Sequence, residues 1–456
     1  MPHWSEDAIF YHVYPLGYCG APERNDGFSE AVPRLGALTS RLDKIRALGA
    51  NAIYLGPAFE SVAHGYDTVD YRAIDRRLGT NADLAGLSRS MKERGMRLVL
   101  DAVFNHVGRE HPWFRDLRER GPGSAHAGDF RGVDFSARSP AGDGFNYEGW
   151  NGCHDLVRLE PRSPAVREEL VGAALSWIED YGIDGLRLDA ADCLDLDFVR
   201  ELAAACRARK PGFWIMGEII HGDYRRYAAP GLMDSVTNYE CWKGLWSSLK
   251  DANYFEIAYA LKRQFGEGGV YRGLNLYSFA DNHDVNRAAS QLPSPALLYP
   301  LYALLFTMPG CPSIYYGSER GIRGERSSRS DAVLRPSIEA IEAAGIPEPG
   351  LPDAIRRLAS LRSRLPALRR GGYRELSVAP RQLAFARECA EGCAMVALNA
   401  DSRPAELELA VPGGFRYWRD ELEAEARPGG EVFEAREGRL RLKLHPSWAR
   451  VLAPCG

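Results

Sequence analysis

The sequence predicts an α/β chain: a (β/α)8 TIM barrel with an inserted subdomain after its third strand and an all-β C-terminal sandwich. Three observations predict it. Eight short apolar runs alternate with helical stretches along the first three quarters of the chain. One connection, after the third run, is far longer than the rest. Beyond about residue 370 the pattern changes to a period of two.

The runs are AIFYHVYPL (8–16), ANAIYLGP (50–57), MRLVLDAV (96–103), IDGLRLDA (183–190), FWIMGEII (213–220), DSVTNYE (234–240), GLNLYSFADNHD (273–284) and CPSIYYGSE (311–319). Several are apolar on both faces, as parallel strands covered on both sides must be. Between them, LTSRLDKIRALG stops at Gly49, and NADLAGLSRSMKERG opens on a capping-type Asn81 and stops at Gly95. SPAVREELVGAALSWIEDYG offers Ser163 as cap and Pro164 at the first helical position. An open doubly wound sheet would want a Gly-rich phosphate loop after an early strand, and none stands there. The third strand ends near Val103, but its helix begins only near Pro164, and the intervening stretch is rich in Gly, Pro and aromatic residues. The segments RQLAFARE, CAMVALNA, AELELAV and GRLRLKL alternate as half-buried strands do. The expected division is a barrel over 1–103 and 161–368, an insert over 104–160 and a sandwich over 369–456.

The bulk numbers exclude several function classes. With 57 basic and 61 acidic residues the net charge is −4, which gives nucleic acid no basic field to bind. No apolar run is long enough to span a bilayer, and the N-terminus lacks the pattern of a signal peptide. Nine dispersed cysteines read as reduced thiols, so the expected compartment is the cytoplasm. Cys389 and Cys393 are four apart, but no second pair or nearby histidine completes a zinc site.

Active sites of such barrels sit at the C-terminal ends of the strands. The polar residues there are Asp101, Asn105 and His106 on the third strand, and Arg187 and Asp189 on the fourth. The fifth offers Glu218, and the seventh Asp281, His283 and Asp284. Singly, each is more simply a helix cap, an ion pair or a buried histidine. Together at one barrel end they suit glycoside hydrolysis. A retaining hydrolase needs two carboxyl groups ~5–5.5 Å apart, and neighbouring strands are ~4.8 Å apart. Asp189 and Glu218 fit that spacing. Arg187, two residues before Asp189, shares its face and is expected to keep it ionised, while the apolar FWIMG before Glu218 is expected to favour its protonated form.

DAVFNH (101–106), GLRLDAADC (185–193), GEI (217–219) and FADNHD (279–284) match, in order, the signature regions of the α-amylase family of glycoside hydrolases, which the chain resembles over nearly its whole length. HGYDTVDY (64–71) and RSDAVLRP (329–336) match two further stretches. The resemblance implies that Asp189 is the nucleophile, Glu218 the acid/base and Asp284 a third carboxylate gripping the sugar. It implies that Tyr66, His106, Arg187, His283, Asp331 and Arg335 bind or orient substrate, and that Asp101 braces its neighbours. It implies no required cofactor. Many members bind calcium through the first-motif asparagine, which makes Asn105 the candidate ligand, although no partner ligands are identifiable in 107–160. HDLVRLE (154–160) stands where a fifth motif often ends in asparagine, here Glu160. The motifs are similar to those of maltooligosaccharide- and cyclodextrin-processing members, but the first strand starts too early for their extra N-terminal domain. The expected activity is retaining hydrolysis of α-1,4-glucosidic bonds in maltooligosaccharides, cyclodextrins or related α-glucans. The alternative is a transglycosylase or isomerase using the same covalent step. Oligomeric state is not readable from the sequence.

Overall fold

A computed structural model describes residues 3–328, 330–426 and 429–455. Arg329, the first residue of RSDAVLRP, lies outside them, as do the chain ends counted in the expected barrel and sandwich.

All eight expected barrel strands form: β1 (Phe10–Val13), β2 (Ala52–Leu55), β3 (Arg97–Ala102), β4 (Gly185–Leu188), β5 (Trp214–Gly217), β6 (Ser235–Val236), β7 (Tyr277–Phe279) and β8 (Cys311–Tyr315). They pair in parallel in the order β6-β5-β4-β3-β2-β1-β8-β7. A parallel bridge between Thr237 and Tyr277 closes the ring, with the Asn238 amide donating to the Tyr277 carbonyl at 2.8 Å.

The strands are apolar on both faces because each face meets a different core. Phe10, Ala52, Tyr54, Val99, Trp214, Met216, Tyr277, Phe279 and Cys311 fill the barrel interior. Their sequence neighbours, such as Tyr11, Ile53, Leu98, Leu100, Leu186 and Ile215, pack outward under the helices. This alternation decides which polar residues face the axis at the strand ends.

The helices correct the sequence reading in detail. The helix expected over 38–49 is two short pieces, Gly36–Thr39 and Leu42–Ala47. The cap of helix Asn81–Glu93 is Thr80, which forms a capping box with Asp83, while the Asn81 carboxamide turns back to the Ile74 amide and the Arg72 carbonyl. Pro164 does open helix Pro164–Tyr181. The Ser163 hydroxyl, however, donates to Asp129 at 2.5 Å and does not cap that helix.

The long excursion after β3 carries a three-stranded antiparallel sheet (His106–Gly108, Cys153–Arg158, Gly149–Trp150) and a helix, Pro112–Arg120. Among its described residues the C-terminal region has eight strands: β9 (Gly372–Val378), β10 (Gln382–Cys389), β11 (Gly392–Asn399), β12 (Ala405–Ala410), β13 (Tyr417–Asp420), β14 (Val432–Glu434), β15 (Arg439–Leu444) and β16 (Trp448–Pro454). Six form one antiparallel sheet, β9-β10-β11-β16-β13-β14, and β12 pairs with β15. Ala384, Met395, Leu409, Trp418, Leu440 and Leu442 make the core between the two. Phe385, Val396 and Val451, on the other face of the large sheet, join the main core. Among the described residues no helix is long and apolar enough to cross a membrane.

Candidate active site

Inward parity gathers the site. Val99 faces the barrel axis, so Asp101 does too, and Trp214 and Met216 carry the same column to Glu218. Arg187 lies directly across from Asp101 in the β3–β4 register, and Asp189 follows it by two. Leu188 and Gly217 are partners in the β4–β5 register, so Asp189 and Glu218 leave neighbouring strands at one level.

One guanidinium joins them. Arg187 Nη1 is 2.9 Å from Asp101 Oδ1 and 2.7 Å from Asp189 Oδ1, and Nη2 is 2.9 Å from Glu218 Oε1. The Tyr54 hydroxyl donates to Asp101 at 2.7 Å and that of Tyr66 at 3.3 Å. Ala190 takes φ 43° and ψ 45°, left-handed backbone that is uncommon away from glycine, and its amide donates to Glu218 Oε2 at 3.3 Å.

Charge within this cluster departs from the sequence expectation. Burial pushes the Asp189 carboxyl up, and Glu218 and Asp101 act with it against the pull of Arg187. Three carboxylates around one cation would carry a net −2 if all were ionised. Glu218 does not sit in an apolar pocket either. Besides Arg187 it meets Tyr239, whose hydroxyl donates to Oε1 at 3.3 Å and accepts from Asn282 at 3.1 Å.

The remaining expected residues arrive from other loops. His283 Nε2 is 3.0 Å from Asp284 Oδ2 and is hydrogen-bonded to the Tyr66 hydroxyl, the two rings lying 10° from parallel. Arg335 Nη2 is 2.9 Å from Asp284 Oδ1 and 3.5 Å from Asp331 Oδ2, and Nε donates to the His283 carbonyl at 3.1 Å. Asp331 also pairs with Arg326 at 2.8 Å. Burial works to raise the Asp284 carboxyl, but His283 and Arg335 outweigh it and hold it well below the usual carboxylate range. His106 is pushed down to about 3, chiefly by burial, so its ring is neutral. Its Nε2 has no hydrogen-bond partner among the described residues and lies 4.0 Å from Asp189 Oδ2. Asp281 is set apart: it accepts from Ser318 at 2.8 Å and from the Ala288 amide at 2.8 Å, a local brace.

Tyr54, Tyr239, Asn282 and Trp150 join the site without having been singled out in the sequence. Trp150 stacks on His106 with centroids 5.4 Å apart. Aromatic and amide side chains are common, and only the folded register brings these to the carboxylates. Glu160 turns away to Arg162 at 2.9 Å.

The calcium expectation at Asn105 meets a cation already in place. Arg158 Nη2 is 3.5 Å from Asn105 Oδ1. Among the described residues no group of three or more His, Cys, Asp or Glu side chains is gathered to hold a metal. Calcium asks for six to eight oxygen ligands, so these residues do not fit it.

A closed barrel with carboxylates converging at the C-terminal strand ends suits a glycoside hydrolase. The chain matches the family model "Alpha amylase, catalytic domain" over residues 24–354, and it belongs to the α-amylase family. It is 31% identical over 427 residues to a cyclomaltodextrinase of a Bacillus species, covering 88% of this chain and 74% of the relative. It is 30% identical over 477 residues to neopullulanase 2 of Thermoactinomyces vulgaris, covering 99% and 78%. The structure of the cyclic α-maltosyl-(1→6)-maltose hydrolase of Arthrobacter globiformis, in complex with that cyclic sugar, superposes with a TM-score of 0.81 at 27% identity, covering 99% of each chain.

Proposed function

We propose that this glycoside hydrolase cleaves α-1,4-glucosidic bonds in maltooligosaccharides, cyclodextrins or related α-glucans with retention of configuration. The observation that carries the reading is the binding of Asp189 and Glu218 to different nitrogens of Arg187, on strands in direct register. Neighbouring strands ~4.8 Å apart suit the ~5–5.5 Å carboxyl separation of retention better than the ~6.5–9.5 Å of inversion. The named activities of the cyclomaltodextrinase and neopullulanase relatives support the substrate class.

In the first step Glu218 gives its proton to the glycosidic oxygen as Asp189 Oδ2 attacks the anomeric carbon. The carbon–oxygen bond breaks, and a glycosyl ester forms on Asp189. Arg187 holds the other oxygen of Asp189 throughout. Glu218 then takes a proton from water, which attacks the same carbon and frees Asp189. Asp284, ionised between His283 and Arg335, accepts hydrogen bonds from sugar hydroxyls. Tyr66 supplies an aromatic surface to the ring, and His106 a hydrogen bond. Asp331 holds Arg335 in place. A cytoplasmic setting belongs to the same proposal, supported by nine cysteines that all remain free thiols.

The test is a product time course on maltotriose, cyclodextrin, pullulan and soluble starch, with Asp189→Asn as control. Release of short maltooligosaccharides by wild type alone is expected. Mainly longer or isomerised products would replace hydrolysis with transfer.

A further inference from the structure

Arg158 faces His106 across the inserted sheet. Its guanidinium stands where three segments meet. Nη2 is 3.5 Å from Asn105 Oδ1, on the loop leaving β3, and 3.5 Å from the Cys193 carbonyl, on the loop after Asp189. Nη1 is 3.3 Å from Glu148 within the insert. One positive charge therefore touches the insert and the exits of β3 and β4.

That charge orients Asn105. The carboxamide oxygen faces the guanidinium, and the reverse flip would set an NH2 group against another donor. With Oδ1 so fixed, Nδ2 lies 3.1 Å from His106 Nδ1. An amide nitrogen only donates, so Nδ1 accepts and the ring proton sits on Nε2. His106 Nε2 is buried, lacks a partner among the described residues, and is 4.0 Å from Asp189 Oδ2.

We propose that Arg158 occupies the place of a structural metal cation at this junction and, through Asn105, holds His106 as its Nε2–H tautomer, aiming that N–H at a sugar hydroxyl beside Asp189. Arg158 is thus a positioning residue, remote from the reacting bond. A side-chain cation ties the insert to the barrel with no dependence on bound metal. The sugar hydroxyl rests on the functional reading above, whereas the metal and tautomer claims do not depend on turnover.

The experiment has two arms. In the first, purified wild type is analysed for metal and melted with and without EDTA and with added calcium chloride. Substoichiometric calcium and an unchanged melting temperature are expected. One tightly bound calcium per chain, or a chelator-induced fall in melting temperature, overturns the proposal. In the second, two-bond proton–nitrogen spectra report the His106 tautomer in wild type, Arg158→Met and Arg158→Lys, with His106→Gln assigning the signal. Wild type is expected as Nε2–H. Arg158→Met should become a tautomer mixture and lose roughly 10–100-fold in kcat/KM, the usual effect of removing a supporting partner. Arg158→Lys, which keeps the charge, should recover most of both. An unmixed Nε2–H signal in Arg158→Met, or a Nδ1–H signal in wild type, overturns it. A chain of the expected tautomer that released no sugar would instead overturn the functional reading.

Discussion

Asp101 on β3 stands directly across from Arg187 on β4, and Arg187 Nη1 lies 2.9 Å from Asp101 Oδ1. This pair anchors the guanidinium whose remaining contacts reach Asp189 and Glu218. Arg187 is almost fully buried, with a side chain 3% exposed, so its charge acts on the three acids with little screening by solvent.

Arg187 works against burial at Asp189, pulling down a carboxyl that burial pushes up. Removing the cation therefore raises the pH at which Asp189 loses its proton. Arg187→Met should move the acidic limb of the kcat/KM profile upward. An unmoved limb in a folded variant contradicts the assigned role.

His106, pushed down to about 3, stays neutral across the working range. His106→Asn should therefore lower kcat/KM at every pH without reshaping the profile. Loss of a limb between about pH 5 and 8, where an ordinary histidine titrates, would show that His106 ionises in the working enzyme.

Arg335 fixes Asp284 through a contact at 2.9 Å. A hydrogen bond to a charged group is worth about 1.5–3 kcal/mol, so Arg335→Met should lose roughly ten- to hundredfold in kcat/KM. Under the proposed sugar-binding role, much of the loss should appear in KM, measured on maltotriose.

Gly217 has no room for a side chain. A Cβ there would lie 2.2 Å from Met233 Sδ and 2.9 Å from the Ala191 Cβ. Met233 is flexible, but Ala191 belongs to the turn that follows Asp189. Gly217→Ala should cost about 1–3 kcal/mol of stability, as overpacking does, and should lower kcat by separating Glu218 from Asp189. Thermal melting and steady-state kinetics read the two effects.

The barrel was legible because most of its strands are short apolar runs; β6 is the exception, two paired residues within the largely polar DSVTNYE. The acids were legible because strand parity and motif order place them together. Less was visible where a side chain chooses between partners. Thr80 rather than Asn81 caps its helix because the Asn81 carboxamide is engaged with the strand before it. The upward push on the Asp189 carboxyl comes from burial and from two further acids around the same cation, the three acids lying on three different strands. Tyr239 and Trp150 reach the site from a helix start and an inserted hairpin, and no local pattern distinguishes them from core aromatics.

The central claim is that Asp189 forms the covalent bond to sugar. It is tested most directly in Glu218→Gln supplied with α-maltosyl fluoride. Fluoride leaves without an acid, but hydrolysis of the ester needs a base, so the intermediate accumulates. Mass spectrometry of the digested protein should find a maltosyl adduct on the peptide containing Asp189. An adduct on another carboxylate, or no adduct with release of the inverted anomer, would contradict the account.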